Sequence, residues 1–366
     1  MNQATQTRIE AIDVLRGLAL ALMLLVNNPG SWSAVYAPFL HVNWHGLTPT
    51  DLVFPFFLFV VGASMACSLR GQIHTSGLAW LSIFKRSFML FCIGFLLQII
   101  PFEQAPDTWR IMGVLQRISL CFLLVAIMIA TIKERWLLLT GVLVLIVYWL
   151  LLLTVSQDPY SVENNLVRHV DMAILGSNHM WQGKGMPFDP EGLLSTISSA
   201  ITVLSGYLIC TNILQQKTEK QQILQLTAVG SVVLTLGLAW SVWHPINKSL
   251  WTGSFVLISS AFACFSLAAI IFFWRVPVIK TALHGLKIYG SNPIFIYVVA
   301  WVLAIFLNRF TLTVEQQSNS MKVWIYSSFQ SVMTDKLASL LYAILFTALF
   351  YVIALVLYKK RIFIKL

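Results

Sequence analysis

Charge is scarce in this chain of 366 residues: 10% are Asp, Glu, Lys or Arg, and the acids number only 14. A soluble domain carries roughly a quarter charged residues, so an ordinary water-soluble enzyme is excluded. Cysteine is scarce as well. Cys67, Cys92, Cys121, Cys210 and Cys264 occur singly, without CxxC or Cys/His ligand spacing, so the sequence offers neither a metal site nor a disulfide framework. Tandem repeats and low-complexity tracts are absent. The 24 Lys and Arg give a net charge of +10, but they form no stripe or tail, so they do not indicate nucleic acid.

What is present is apolar: 58% of residues are hydrophobic, gathered in runs long enough to cross a hydrocarbon core. Spans are expected near 11–28, 50–69, 80–100, 111–132, 136–154, 193–214, 224–243, 251–274, 288–307 and 337–358. The fold class is therefore all-α: a polytopic membrane bundle of about ten helices, one domain over residues 1–366. Arg8 before an apolar run and Val35-Tyr36-Ala37 after it superficially resemble a cleaved leader. Arg16 and Gly17 interrupt that run, so the first span is read as retained. Ten spans put both termini on one side, and the loops orient them. Sixteen Lys and Arg fall on the side of the termini, among them Arg8, Arg16, Arg70, Lys85, Arg86 and Lys365, and seven on the other. Cytoplasmic loops collect such cations, so both termini are expected in the cytoplasm. The largest outer connection, 155–192, is long enough to be a partly ordered lid.

In lipid the informative residues are the polar ones at hydrocarbon depth. Asp13 and Arg16, three apart, share a face of the first span, as a local ion pair or as a cationic site for an anionic ligand. At the exit of that span Asn27 and Asn28 precede a stretch holding His41, Trp44, His45 and Asp51. Thr50 or Asp51 can cap the next helix, and Pro55 implies a kink. An imidazole in water titrates near neutrality, so the residue type at His41 or His45 suits a base, while a solvated interfacial imidazole is the bland reading. Arg117 lies inside the fourth span and needs an anion, whether Glu103, Asp51 or a phosphate-bearing ligand. Three helix-end clusters, around Asp189-Pro-Glu191, Asn247-Lys248 and Asn292-Pro293, can cap helices or cradle an oxygen. Trp32, Trp44, Trp181, Trp243 and Trp251 suit an outer aromatic belt.

Taken together, Asp13 to Gly17, Leu25-Val26-Asn27, His41-Val-Asn-Trp-His-Gly-Leu-Thr and Asp51-Leu-Val-Phe-Pro-Phe-Phe resemble the heparan-alpha-glucosaminide N-acetyltransferase family, including its bacterial NagX-like members. Gly113-Val-Leu-Gln-Arg117-Ile, Phe188-Asp-Pro-Glu-Gly192 and Pro245-Ile-Asn-Lys248-Ser-Leu-Trp251 continue the likeness in order. The resemblance implies an integral-membrane enzyme that moves acetyl from cytoplasmic acetyl-CoA to the amino group of a glucosamine-type sugar outside, without a metal. It makes His41 the catalytic base, Asn27 an active-site amide and Asp51 the orienter of the imidazole or a binder of the amine. Arg16, Arg117 and Asn292 become candidates for holding CoA. His45, Trp44, Asn247, Lys248, Asp189 and Glu191 become candidates for holding the sugar. The family's lysosomal members carry an extra amino-terminal luminal region, so a minimal bacterial-like core in the inner membrane, with a homodimer as one possible assembly, is the expectation. A transporter of amino sugars or oligosaccharides and an O-acetyltransferase of another outer glycan are the alternatives.

Overall fold

The computed structural model describes residues 3–69, 77–155, 158–314 and 317–364. Arg70 and Lys365 from the cation count, and Ser156 and Gln157 of the long connection, lie outside them. The described chain forms thirteen α-helices and one short hairpin. The helices are α1 (Gln3–Asn27), α2 (Val53–Ser68), α3 (Gly77–Ile99), α4 (Val114–Thr131), α5 (Glu134–Leu152), α6 (Leu166–Leu175) and α7 (Leu193–Gln215). They continue with α8 (Glu219–Trp240), α9 (Gly253–Phe273), α10 (Pro277–Tyr289), α11 (Pro293–Arg309), α12 (Met321–Gln330) and α13 (Asp335–Lys359). Strands β1 (Thr311–Val314) and β2 (Gln317–Ser320) pair antiparallel before α12.

Each expected span falls on a helix, but the membrane-crossing criterion is met less often than ten times. Eight helices are long and apolar enough: α2 with its preceding turn, α3, α4, α5, α7, α8, α9 and α13. A ninth is available if α10 and α11, bent by 73° at Gly290 to Asn292, count as one broken span. Glu10, Asp13 and Arg16 interrupt the apolar run of α1. That helix is nonetheless central: Val14, Leu15, Ala19 and Leu20 are fully buried, and it packs against α2, α9, α10, α11 and α13.

Lipid tails are as apolar as leucine, so these contacts stabilise by close approach rather than by removal from water. The α2/α7 crossing shows how. A Cβ on Gly62 would collide with the Val203 carbonyl, and one on Gly206 with the Phe59 carbonyl. The two backbones meet where both helices lack a side chain.

Two local expectations change. Pro55 sits in the first turn of α2, after a 3-10 turn over Pro49–Leu52. Its missing N–H has no helical acceptor there, so it starts the helix rather than kinking it. Trp251 is no belt residue. It is buried, its indole Nε1 donates to Thr202 Oγ1 at 3.0 Å, and its ring packs edge-on against Phe54 and Phe255.

Candidate active site

The site is assembled where α1 ends and α2 begins. Thr48 caps the 3-10 turn, and Asp51, three residues on, returns the favour in a capping box: its Oδ2 accepts from Thr48 N at 3.0 Å and Thr48 Oγ1 at 2.8 Å. Val42 N donates to the same oxygen at 3.2 Å. That leaves Oδ1 of this buried carboxylate to meet His41 Nδ1 at 2.7 Å. With Nδ1–H engaged, the imidazole presents Nε2 as its free nitrogen. Capping and orienting the imidazole are thus one job shared between two oxygens.

Lys248, from the α8–α9 connection, reaches the same pair: its Nζ lies 3.1 Å from His41 Nδ1 and 3.4 Å from Asp51 Oδ1. Burial pushes its ammonium down in pKa, and Asp51 and Glu191 only partly offset this. Glu191 closes the array. Burial alone would raise its carboxyl, yet Arg110, at 2.6 Å, with Arg117 and Lys248 nearby, holds it below the usual range. His41, Asn27, Lys248 and Glu191 line one cavity of about 100 Å³, whose apolar wall comes from Met23, Val53, Phe54 and Val114.

A second cavity, of about 320 Å³, lies toward the other end of the same helices. Arg16 and Arg86 line it with Ser64, Ser68 and Ser291. Arg16 is held by Asp13 and Ser64, each at 2.7 Å, while Arg86 lies 4.9 Å over the Phe122 ring and its buried Nε has no hydrogen-bond partner. The two cavities share no lining residue but are set along the same helices: Phe54 and Val114 face the first, and Phe57 and Leu115 face the second. From Arg16 to Asn27 is eleven residues of α1, or about 16 Å at helical rise.

Several candidates stand elsewhere. Arg117 does not reach Arg16. It is fully buried, donates to the Gly192 carbonyl at 3.1 Å and to Ser195 Oγ, and lies 5.2 Å over the Trp251 ring, where it locks α4 to the start of α7. Asn292 is fully buried and grips the chain's tail, donating to Ile362 O at 3.0 Å and accepting from Ile364 N at 2.7 Å. Its neighbours Ser291 and Pro293 line the Arg16 cavity, and Asn292 does not. Asp189 is consumed by a bidentate Arg110 at 2.9 and 2.8 Å. Asn247 is buried, accepting from Leu250 N at 2.8 Å and touching His45 Nδ1 at 3.3 Å. Trp44 donates to Tyr160 O at 2.6 Å and packs on Phe188. Trp44 and His45 do not line the His41 cavity.

Two side chains that join these clusters do not stand out in the sequence. Arg86 was counted as a flanking cation, although it interrupts an apolar run as Arg117 does. Arg110 stood beside the fourth span, and nothing local announced that it would join Asp189 and Glu191 some eighty residues away.

The catalytic-domain model described as "Heparan-alpha-glucosaminide N-acetyltransferase, catalytic" matches residues 8–172, the stretch that carries Arg16, Asn27, His41, Asp51 and Arg86. The curated mouse protein named heparan-alpha-glucosaminide N-acetyltransferase is 29% identical over 100% of this chain. The chain is thus similar to the heparan-alpha-glucosaminide N-acetyltransferases, through the catalytic-domain model over 8–172 and through the mouse protein along its whole length. The human protein of that name is likewise 29% identical, over 99% of the chain. The chain spans 61% and 60% of the lengths of these two family members.

Proposed function

We propose that the protein is a membrane acetyltransferase that passes an acetyl group from acetyl-CoA, entering at the Arg16 end, to the amino group of a glucosamine-type sugar at the His41 end. The observation that carries this reading is the pair of cavities set along α1, α2 and α4. An imidazole fixed by a buried carboxylate lines one, and two guanidinium groups, Arg16 beside Asp13 and Arg86 with an unpartnered Nε, line the other. The family names point to the same group transfer. The excess of Lys and Arg on the side of Arg16 supports a cytoplasmic position for that end.

An ammonium has no lone pair, so the acceptor amine must shed a proton before it attacks. That proton goes to solvent, and His41 Nε2 takes a second one as the amine nitrogen bonds to the acetyl carbon. The carbon–sulfur bond then breaks, and the departing thiolate of CoA recovers the proton held by His41. Asn27, which lines the same cavity, donates through Nδ2 to the oxyanion formed on the way. Glu191 and Asp51 attract the cationic form of the amine. At the other cavity, Arg16 and Arg86 offer charge-assisted hydrogen bonds to phosphate.

Purified protein with acetyl-CoA and glucosamine is expected to release free CoA thiol, and His41→Ala to cut that rate by roughly 10²–10⁴-fold. Undiminished release removes His41 from the chemistry. Absence of release with every amino sugar returns the protein to the transporters. Full activity with N-acetylglucosamine in place of glucosamine assigns the acceptor atom to a hydroxyl oxygen.

A further inference from the structure

Helices α7 and α8 follow each other across a connection of three residues, Gln216 to Thr218, yet they do not pack along their length. Instead α8 lies along α9, where Gly230 admits the Phe265 ring and Gly237 the Ile258 side chain, while α7 lies along α2. The two helices therefore splay, and a groove of about 230 Å³ opens between them and α5. Its walls are apolar: Leu138 from α5, Leu208, Ile209 and Ile213 from α7, Leu226 and Val229 from α8. Asn212 and Gln225 add two amides. We propose that this groove holds one anionic glycerophospholipid with a hydroxyl-bearing headgroup, drawn from the bilayer and seated with an acyl chain between the three helices. The groove shares no lining residue with the His41 and Arg16 cavities, and the proposal does not rest on acetyl transfer.

Polar atoms left without partners point to the ligand. Gln222 is fully buried and, among the described residues, neither its Nε2 nor its Oε1 has a hydrogen-bond partner. Gln225 lines the groove, and its Oε1 is buried and unpartnered as well. Gln222 precedes Leu226 by four residues, so it shares that face of α8, one turn nearer the helix start. An unsatisfied amide is costly at hydrocarbon depth. Both glutamines stand in the first two turns of α8, the depth at which phospholipid esters and headgroups succeed the acyl chains. There an ester carbonyl can accept from Nε2 and headgroup hydroxyls can donate to the two Oε1 atoms. A bare acyl chain would satisfy none of them. Charge at the rim selects the headgroup. Lys133, Arg135, Lys217 and Lys220 are exposed at these helix ends, each within five residues of a lining residue. The acids among them are Glu134 and Glu219, and Glu219 is spent on Arg275 at 2.7 Å. The surplus of positive charge favours a phosphate that no choline neutralises. The flanks of the groove suit lipid rather than water: Leu138 on its wall is 66% exposed, and Leu224, next to Gln225, 68%.

In the test, the full chain, stripped of lipid in detergent, is offered dioleoylphosphatidylglycerol, dioleoylphosphatidylcholine or dioleoylphosphatidylmethanol, the last being anionic without headgroup hydroxyls. Native mass spectrometry counts the molecules retained. A single phosphatidylglycerol is expected to stay bound at a concentration lower by about tenfold than either of the others, worth about 1.4 kcal/mol. Lys217→Gln combined with Lys220→Gln should remove the advantage over phosphatidylcholine, and Gln225→Leu the advantage over phosphatidylmethanol. Val229→Trp fills the groove and should abolish the tightly held molecule. Equal retention of phosphatidylglycerol and phosphatidylcholine by the unaltered protein would overturn the proposal, and retention equal to that of phosphatidylmethanol would overturn recognition by the amides. A molecule held undiminished by folded Val229→Trp would overturn the groove as its seat. Should that variant fail to fold, the exposed lysine pair decides, and a preference that survives its loss overturns the site.

Discussion

At His41 the identity of the bound nitrogen decides the chemistry. Asp51 accepts from Nδ1–H, so Nε2 keeps the lone pair that a base needs. Asp51→Asn would present an amide N–H to the same nitrogen, move the ring proton to Nε2 and disable the base. We expect kcat to fall by up to about 10⁴-fold, the cost of a wrong tautomer in a comparable triad, with KM for acetyl-CoA nearly unchanged. Equal loss in both parameters would show that Asp51 holds the turn rather than the imidazole. A second histidine reports through stability. His244 sits in a cage of Trp149, Trp240 and Tyr160, and burial pushes its pKa down to about 3. Between pH 6.5 and 3 the unfolded chain binds a proton that the folded one refuses, so this residue's contribution to stability is lost as pH falls. Asp171 works the other way, because burial raises its carboxyl to about 6 and acid favours its neutral folded form. Thermal melts of wild type and His244→Gln should therefore diverge, the variant losing less stability on acidification from pH 7 to 5. Parallel curves would refute the assignment. His41 and Asp51 were legible because ten residues separate them and one turn joins them. Arg117 was misjudged because an apolar sequence fixes neither the depth of an arginine nor the direction it faces.

Helices were the most legible elements, since uninterrupted apolarity marks a span wherever packing later puts it. Two elements show where this fails. In α1 three charges break the run, yet the helix is buried against five others, α2, α9, α10, α11 and α13, a tertiary fact that local hydropathy cannot express. At α10 and α11 the span expected near 288–307 runs across the polar break Gly290 to Asn292, where the backbone turns by 73°. The proline and the tail-gripping Asn292 explain the turn only once the C-terminal residues are in place. Contacts between elements are also where small residues weigh most. Gly206→Ala places a methyl group on the Phe59 carbonyl, so the α2/α7 crossing must open. We expect a loss of about 1–3 kcal/mol, read as a lower melting temperature in detergent. Because α2 carries Phe57 and follows directly on the turn that holds Asp51, activity should fall at temperatures where the variant is still folded. An unchanged melting temperature would mean that the crossing is looser than its geometry.

For the whole molecule the question is sidedness. Protein oriented in sealed vesicles, with acetyl-CoA at the Arg16 face and glucosamine only at the His41 face, should accumulate N-acetylglucosamine on the sugar's side. Exchanging the two substrates across the membrane should stop the reaction. Product made equally in both arrangements would refute transfer across the bilayer. The pairing of the two cavities was not legible in the sequence, for it depends on which faces of α1, α2 and α4 meet. The residues that line it are spread from Arg16 to Ile364. That pairing also carries a hazard for the cell. If the two chambers open to opposite faces, as the proposed transfer requires, Phe54 and Val114 on one and Phe57 and Leu115 on the other would be what insulates them, and truncating one of these side chains would open a leak for protons and small ions. Whole cells or vesicles carrying Phe57→Gly would be expected to lose their ion gradients, even if acetylation continued.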